Sequence, residues 1–535
     1  MSNSENEIFT FEKDDASSSR LSSGECKRVT HIGGIRGESS ADFVLPDYMG
    51  DIKKLLKSCA QLCVANKFIG NGEVSFLIMV TYRVAYLDGD ERLTEATFTS
   101  DYECTQKTAS GFIDADITPL LQGLTVRLQG PRKICAKVGI ISEIDMVESD
   151  VISEAAEIQC AESKTRKIKV HGCEFLNFAE REYAEQIGRI DSVASDEIEI
   201  IKSDASLNIE SCRRGADELN ISGSIDAFCL LRVDDDIVRV EKKIPFEDSM
   251  AFYDEGRECS FTACGYLTSI SASVNTSVGD DAEAGMLYSA VVMNMTLECR
   301  VTCNYNAEHK IISDAFVKGK KNECSYKDFC YDELSAPIFE KKKITLCRKR
   351  DEIPIRNVLD SDLKIKNCKY MIANSDLIIS SDAEYNIIAG GMNPGECVSI
   401  KGEEPIEERI KISDFTATGG KFKALVDICT SDVQISFDGE SIYVSFSLCV
   451  LGCVCEEKVE RVLTSLEVVN ADRSSGRKVI VYYPEENDTL WSVAKKYATG
   501  IFDIEKYNSA APAFSSDDPD APLGGVDKIL IVLND

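Results

Sequence analysis

The chain has 535 residues, of which 91 are acidic and 60 basic, so its formal net charge is −31. A surface this acidic argues against nucleic acid and anionic lipid headgroups as general partners, because basic surfaces bind both. Hydrophobic residues make up 44% of the chain, which is typical of folded globular proteins, and the length allows roughly three to five domains.

The N-terminal sequence MSNSENEIFTFEKDD has neither the basic start nor the apolar stretch of a secretory signal. No apolar run approaches the roughly 20 residues of a membrane helix. We therefore expect no transmembrane segment and a protein that stays in the cytoplasm. Residues 1–34 are rich in Ser, Glu, Asp and Lys, and this composition predicts a disordered acidic and polar tail.

Residues 59–100 have the pattern of a three-stranded antiparallel meander. Asn71 and Gly72 form the dipeptide preferred in two-residue hairpin turns, where both residues need positive φ. Asp88 and Gly89 mark a second reversal, and Val, Ile, Tyr, Phe and Thr fill the segments between the turns.

The same plan recurs along the chain, in residues 207–249, 267–319 and 424–468, with weaker copies near 124–147 and 369–414. Three similar entry segments precede pairs of copies: residues 42–58, 179–195 and 353–369. A lone meander cannot bury both faces, whereas two packed sheets can. The sequence therefore predicts a mainly β protein with three tandem β-sandwich-like domains, each an entry segment plus two meanders, over residues 35–164, 165–340 and 341–469.

Cysteines and histidines give no catalytic or metal signature. The 22 cysteines include no CxxC pair, and most stand among apolar residues, which favours reduced core thiols; later oxidative cross-linking and metal binding are the alternatives. His31, His171 and His309 lie in no recognisable catalytic arrangement, and no phosphate-binding glycine loop is present. We expect no enzymatic activity, no metal and no cofactor; the alternative is an enzyme hidden in the β-domains.

The C-terminal residues 479–535 have a different pattern. Residues 470–478, NADRSSGRK, predict a flexible linker, and 479–483 a short strand. Asp488 or Thr489 can cap a helix whose buried face holds residues at helical spacing: Leu490, Val493, Ala494 and Tyr497. Residues 501–507 suit a second helix and 529–533 a closing strand, so the predicted order is β-α-α-β.

The segment DFVLPDYMGDIKKLL, followed by strand repeats, resembles the SPOCS-domain family of endospore-forming bacteria over residues 35–469. The β-α-α-β segment resembles the LysM family, which implies a ligand groove between the first strand–helix loop and the second helix–strand loop. The groove residues implied are Asn487, Asp488, Thr489, Leu490, Trp491, Tyr507 and Asn508. Asn487 stands where the family has glycine and Ser509 where it has proline. Trp491 is either a core residue or a binding-face aromatic.

The resemblance implies a nonenzymatic scaffold of spore coat assembly, located in the mother-cell cytoplasm at the forespore surface. Its implied partners are a spore morphogenetic ATPase, docked by the LysM module, and coat proteins, recruited by the β-domains. One alternative is LysM binding of peptidoglycan or another GlcNAc-containing wall polymer or its precursor. A second alternative is a self-assembling coat or filament component.

Overall fold

A computed structural model describes residues 7–10, 22–70, 72–108, 112–154, 161–191, 193–253, 257–278, 287–349, 355–413, 415, 419–438, 440–469, 478–508, 518–523 and 526–533. Within these ranges almost all regular structure is antiparallel sheet, accompanied by two short α-helices. The predicted mainly β fold class is confirmed. In the same ranges, no helix has the length and apolar content that a membrane crossing needs.

The first group of strands forms a two-sheet sandwich. Its strands are β2 (Ser22–Val44), β3 (Ile52–Gly70), β4 (Glu73–Asp88), β5 (Leu93–Lys107), β6 (Phe112–Gly130) and β7 (Lys133–Glu154). β3, β4 and β5 pair in order as one sheet, while β7 pairs with both β6 and β2 in the other. Alternate residues of β4, such as Val74, Ile78 and Tyr82, face a shared core with Val138 and Ile140 of β7.

The second sandwich repeats this plan with its first strand divided in two. Its strands are β8 (Ala161–Asn177), β9 (Arg181–Asp191), β10 (Ile198–Arg214), β11 (Glu218–Val233), β12 (Asp236–Ala251), β13 (Cys259–Val278) and β14 (Leu287–Val317). β10, β11 and β12 form the meander. β14 pairs with β13, β8 and β9, so this strand organises the opposite sheet.

The third sandwich has the same topology. Its strands are β15 (Lys321–Lys349), β16 (Asn357–Ala373), β17 (Asp376–Gly390), β18 (Cys397–Lys411), β19 (Lys421–Phe437) and β20 (Ser441–Val469). β16, β17 and β18 form the meander, and β20 pairs with β15 and β19. A four-residue strand near the N-terminus, β1 (Glu7–Thr10), extends this sheet by pairing with the end of β20.

The structure confirms the meander predicted over residues 59–100 and corrects the second half of each repeat. Residues 267–319 and 424–468 contain hairpins with long second strands, not three-stranded meanders. Within residues 267–319, the polar run from Asn306 to Lys310 pairs with β8 as continuous strand, so no second turn interrupts β14 there. Residues 369–414 belong to a full meander, and 124–147 to the β6–β7 hairpin.

Several predicted boundaries are also wrong. Residues 22–34 belong to β2 and residues 7–10 to β1, so the prediction of a disordered tail over 1–34 fails for both segments. Backbone pairing with β7 and β20 offsets the polar composition of these segments. The boundaries 164/165 and 340/341 fall inside β8 and β15. Lys478, the last residue of the predicted linker, begins a strand, and residues 470–477 lie outside the described residues.

The three sandwiches meet through equivalent positions of their meanders. The first meander strands β3, β10 and β16 each contain two or more register shifts, and the residues directly after one shift in each strand are Lys57, Lys202 and Asp360. Their cross-strand partners lie equally far from the start of each central strand: Ala85, Leu230 and Ile388. We call Lys57, Lys202 and Asp360 the central charge triad. The repeats are therefore arranged around a common centre.

An apolar cluster surrounds this centre and also draws on equivalent positions of all three repeats. Its buried members are Leu56, Ala85, Leu93, Ile201, Leu230, Ile237, Leu359, Ile388 and Cys397. Hydrogen bonds across the domain boundaries link each pair of sandwiches. Arg232 donates to the Leu93 carbonyl at 2.6 Å, Arg239 to the Leu359 carbonyl at 2.7 Å and Ser399 to the Leu56 carbonyl at 2.7 Å. The three repeats thus close a ring within one chain.

The central charge triad is almost completely removed from solvent. Lys57 Nζ donates to Asp360 Oδ2 at 2.8 Å, and Lys202 Nζ to the same oxygen at 3.0 Å. The Asp360 side chain is 1% exposed. Lys202 also lies 3.1 Å from Asp204 and 3.8 Å from Glu95, which supply further negative charge. Because buried charges require compensation, the two lysines depend on these carboxylates.

We expect Asp360→Asn to lower the free energy of unfolding by about 3–5 kcal/mol, because it leaves two buried ammonium groups without their shared counter-ion. Urea denaturation followed by circular dichroism measures this. Asp362→Asn is the matched control: Asp362 lies on the same strand, its side chain is 30% exposed, and its ion pair with Lys364 should contribute at most about 1 kcal/mol. Equal losses in both variants would show that the triad does not support the ring.

Acid should remove the contribution of Asp360 to the stability of the fold. Burial would raise the pKa of Asp360, but the charges of Lys202 and Lys57 outweigh it and lower the pKa to about 2. Since the folded-state pKa lies below the ordinary aspartate value of 3.8, the carboxylate stabilises the fold above about pH 4, and this contribution is lost as the pH falls toward 2. The difference in stability between the native protein and Asp360→Asn should shrink over this window. A constant difference from pH 5 to pH 2 would contradict it.

Candidate functional site

The C-terminal module consists of β21 (Lys478–Tyr482), α1 (Leu490–Tyr497), α2 (Ile501–Tyr507) and β22 (Ile529–Leu533). The predicted β-α-α-β order is observed, and β21 pairs antiparallel with β22. Thr489 is the N-cap of α1: its hydroxyl accepts from Ser492 N at 3.1 Å, while Thr489 N donates to the Ser492 hydroxyl at 3.0 Å. This reciprocal capping box fixes the start of the helix.

Two of the predicted groove residues use their polar groups within the module. Asp488 Oδ2 accepts hydrogen bonds from the Tyr482 hydroxyl at 2.6 Å and from Glu485 N at 2.8 Å. The Asn508 amide nitrogen donates to the Ile504 and Leu530 carbonyls, and its oxygen accepts from Leu530 N at 2.8 Å. Asp488 therefore shapes the first loop, and Asn508 joins the end of α2 to β22.

The described part of the second loop lies against the first loop. Leu523 N donates to the Asp488 carbonyl at 2.8 Å, and Trp491 N donates to the Pro519 carbonyl at 2.9 Å. Thr489 forms an isolated β-bridge with Pro522. The structure thus brings most of the predicted groove residues together, but as parts of one packed unit. Asn487 is exposed, and Tyr507 is partly exposed.

Leu490 and Trp491 are buried in a core that extends beyond the module. This core includes Val493, Ala494, Ile504 and Ile531 together with Phe316 from the end of β14. The Trp491 ring meets the Phe316 ring edge-on, with centroids 5.3 Å apart. The structure therefore places Trp491 at the contact between the module and the second sandwich, where it does not face solvent.

Asp314, two residues before Phe316, is the polar centre of the same contact. Its carboxylate accepts from Trp491 Nε1 at 2.8 Å and from the Tyr326 hydroxyl at 2.7 Å, and it forms an ion pair with Lys495. Lys495 also donates to the Tyr326 hydroxyl at 2.8 Å. Burial acts to raise the pKa of Asp314, but hydrogen bonds from Lys495 and Trp491 outweigh it and lower the pKa.

Further contacts hold the module at the junction between the second and third sandwiches. Gly319 N, in the turn from β14 to β15, donates to the Ala498 carbonyl at 2.8 Å. Lys164 of β8 pairs with Asp520 of the second loop. The module is consequently packed on the sandwiches. Nothing in the local sequence around Asp314 signalled this contact, because its partners in the module lie more than 170 residues away.

The outer face of the β21–β22 sheet is apolar and exposed. Val479, Val481 and Tyr483 alternate along the first strand and its end with exposed fractions of 62%, 47% and 69%, and Leu530 lies opposite Val481. α2 adds the exposed Phe502. We call Val479, Val481, Tyr483 and Leu530 the outer sheet face. Apolar residues concentrated in this way on a small module are typical of protein-binding surfaces.

A cleft of about 700 Å³, including open solvent, lies where all three sandwiches converge. Its walls include carboxylates and a histidine from the first sandwich: Asp116, Glu143, Asp145 and His31. His31 Nδ1 lies 2.7 Å from Asp145 Oδ1, and this hydrogen bond raises the pKa of His31. Burial raises the pKa of Asp116, although its ion pair with Arg300 acts in the opposite direction.

At one side of this cleft, the structure brings together residues that the sequence analysis left unassigned. Among the described residues, one group of three or more His, Cys, Asp or Glu has ligand atoms close enough to hold a metal ion: His171, Cys453 and Cys455. All three are buried. A hydrogen bond with Cys453, opposed by burial and reinforced by His171, lowers the pKa of Cys455 to about 6. We call these three residues the thiol–imidazole cluster.

The exposure of the cysteines differs from the prediction that most of them are core thiols. The structure holds twenty cysteines of its described residues as thiols, but only seven are buried, while five are exposed: Cys264, Cys330, Cys347, Cys368 and Cys429. The prediction that most would be core thiols is wrong, because many lie on outward-facing strand positions. Burial raises the pKa of Cys229 to about 12, which keeps that core thiol protonated.

Comparison of the chain with protein-family models, with curated proteins and with solved structures finds no match.

We expect Asp314→Asn to loosen the contact between the module and the second sandwich. The variant loses the ion pair with Lys495 and weakens the acceptor of the Trp491 indole, a loss of about 1–3 kcal/mol. Because Trp491 is the only tryptophan, its fluorescence emission should shift to the red and α1 should exchange amide hydrogen faster. Asp503→Asn is the control, since its ion pair with Lys318 is long, at 4.0 Å, and both side chains are partly exposed. Unchanged emission in Asp314→Asn would refute the contact.

Proposed function

We propose that the protein is a nonenzymatic scaffold of endospore envelope assembly, in which the C-terminal module docks on a protein partner and the β-sandwiches recruit coat proteins. The proposed partner is the spore morphogenetic ATPase at the forespore surface of the mother cell. Two resemblances support this role, that of residues 35–469 to the SPOCS-domain family and that of residues 479–535 to LysM modules.

The outer sheet face is the observation that best supports docking on a protein partner. Val479, Val481 and Tyr483 present apolar side chains to solvent on a module whose own core is already filled. Burying apolar surface contributes roughly 25 cal/mol per Å² to association, so a complementary partner surface would gain from covering these residues. A folded protein supplies such a surface, whereas a free sugar polymer presents mainly hydroxyl groups.

The internal hydrogen bonds of the predicted groove also favour docking on a protein over binding of a sugar. A sugar-binding groove needs polar side chains that are available to hydroxyl and acetamido groups. Asp488 and Asn508 instead bond to backbone and side-chain groups of the module. Binding of peptidoglycan or a GlcNAc-containing precursor would therefore have to rely on exposed residues such as Asn487 and Tyr507. We favour docking through the outer sheet face.

The fixed position of the module suits a scaffold. Asp314, Phe316 and Lys495 hold α1 against the second sandwich, so a partner bound to the module is also held in a defined place relative to the sandwiches. Binding to such a partner would therefore fix the direction in which the acidic sandwiches face the coat proteins that they recruit. This arrangement also means that deleting residues 478–535 would expose Phe316 and disturb the second sandwich, so point variants are the better probes.

We expect Val481→Asp to abolish partner capture and forespore localisation while the protein stays folded. A charge at this position prevents apolar burial in a complex but costs little in the free protein, where the side chain is half exposed. The measurement is co-purification from sporulating mother cells, combined with fluorescence microscopy of a tagged full-length chain. Phe68→Asp is the control, because Phe68 is an apolar residue of β3 in the first sandwich that is 60% exposed, compared with 47% for Val481.

The outcomes separate the alternatives. Normal encirclement of the forespore by Val481→Asp would contradict docking through the outer sheet face. Loss of peptidoglycan sedimentation in Tyr507→Ala, with capture of protein partners unchanged, would instead support glycan binding. Concentration-dependent sedimentation of the purified protein alone would favour self-assembly.

A further inference from the structure

The thiol–imidazole cluster joins two sandwiches. His171 lies on β8 of the second sandwich, while Cys453 and Cys455 lie on β20 of the third, more than 280 residues later in the chain. The exposed fractions of the three residues are 2%, 1% and 0%. Cys453 and Cys455 are two positions apart on a strand and therefore project to the same face.

A backbone irregularity places the two thiols. Gly452, directly before Cys453, has φ 147°, and a Cβ at this position would lie 2.0 Å from the Leu425 carbonyl oxygen. Only glycine therefore fits between β19 and β20 here. The glycine lets β20 approach its neighbour closely while Cys453 and Cys455 face β8. The motif Gly-Cys-x-Cys thus has a geometric basis in this strand.

Two of the three distances within the cluster match a tetrahedral metal site. With zinc–sulfur bonds of about 2.3 Å and zinc–nitrogen bonds of about 2.0 Å, tetrahedral angles separate two sulfurs by about 3.8 Å, and sulfur from nitrogen by about 3.5 Å. The sulfurs of Cys453 and Cys455 are 3.9 Å apart, and Cys455 Sγ is 3.6 Å from His171 Nδ1. All three candidate ligand atoms lie within 4.8 Å of one another.

The far side of the imidazole carries the partner that metal-binding histidines usually have. His171 Nε2 lies 2.9 Å from Asn304 Oδ1, on β14. An amide oxygen there accepts the Nε2 proton, which leaves Nδ1 without a proton and directed at the thiols. A hydrogen bond of this kind fixes the tautomer and the ring orientation of a metal ligand. Asn304 is itself buried, so water does not compete for this hydrogen bond.

We propose that His171 Nδ1, Cys453 Sγ and Cys455 Sγ bind one Zn²⁺ ion, with the fourth coordination position facing the cleft. Two thiolates and one imidazole are the donor set that zinc accepts in tetrahedral sites. His171 and Cys453 both line the cleft, so an ion and a water ligand can reach the site from there. Binding exchanges the thiol protons for bonds to the metal and requires no oxidant or reductant.

The proposed ion would clamp the second sandwich to the third. Its ligands come from β8 and β20, and Asn304 adds β14, so metal binding stabilises the contact between these sheets. The site is separate from the outer sheet face, and its test does not depend on the proposed docking function. The occupant is identified by donor chemistry alone: a borderline-soft divalent cation that prefers sulfur and nitrogen.

The experiment uses the reduced full-length protein after dialysis against a chelator. Zinc is titrated in competition with a chromophoric chelator, and Co²⁺ is added in parallel to record the absorption of a tetrahedral thiolate complex. We expect one equivalent of zinc, thiolate-to-cobalt charge transfer, and a higher midpoint of thermal unfolding with zinc than without it. Cys453→Ser and Cys455→Ser should each abolish stoichiometric binding, whereas Cys229→Ser, at a buried thiol outside the cluster, should leave it unchanged.

Substitution of Asn304 tests the site while all three proposed metal ligands stay in place. Asn304→Ala should weaken zinc binding by about 10–100-fold, and Asn304→Asp, which keeps an acceptor oxygen, should restore it. Circular dichroism of each variant checks that it is folded. Absence of stoichiometric zinc in the native protein, octahedral cobalt spectra, or equal binding by Cys455→Ser would each overturn the proposal. A disulfide between Cys453 and Cys455 that persists after treatment with a reductant would overturn it as well.

Discussion

The arrangement of the whole molecule depends on the meeting of Lys57, Lys202 and Asp360 at the centre of the ring. Three equivalent positions, one in each repeat, converge where water is excluded. Identical residues there would put three like charges, or three unpaired polar groups, in contact. The chain avoids this because its repeats have diverged: two positions are basic and one is acidic. A symmetric trimer of one repeat could not achieve this compensation.

The closed ring determines where the other features lie. Because each sandwich contacts both of the others, residues far apart in sequence share one cleft, and His171 comes within bonding distance of Cys455. The C-terminal module packs where the second sandwich passes into the third: it contacts Phe316 at the end of β14 and Gly319 in the turn to β15. The module and the cleft are thus both consequences of how consecutive repeats join.

Local signals in the sequence predicted the local structure well. Asp88 ends β4 at the predicted reversal, where its carboxylate accepts from the backbone nitrogens of Asp90 and Arg92. Helical spacing of Leu490, Val493 and Ala494 predicted the buried face of α1. Prediction failed where strand pairing outweighed composition. Residues 7–10 and 22–34 have the polar composition of a disordered tail but form strands, because β20 and β7 satisfy their backbone groups. The charge triad and the contact of Asp314 with the module depend on residues far apart in the chain, which no local pattern encodes.

The closed ring also affects the order in which the repeats can dock during synthesis of the chain. Ribosomal synthesis delivers Lys57 and Lys202 before Asp360, so a nascent chain that holds only the first two sandwiches would bring two ammonium groups together without their shared carboxylate. That repulsion disfavours premature docking of the first two repeats. The ring can close only after the third meander has emerged, and its closing contacts span more than 300 residues. Because contacts of such long range form slowly, we expect ring closure to be a late step of folding.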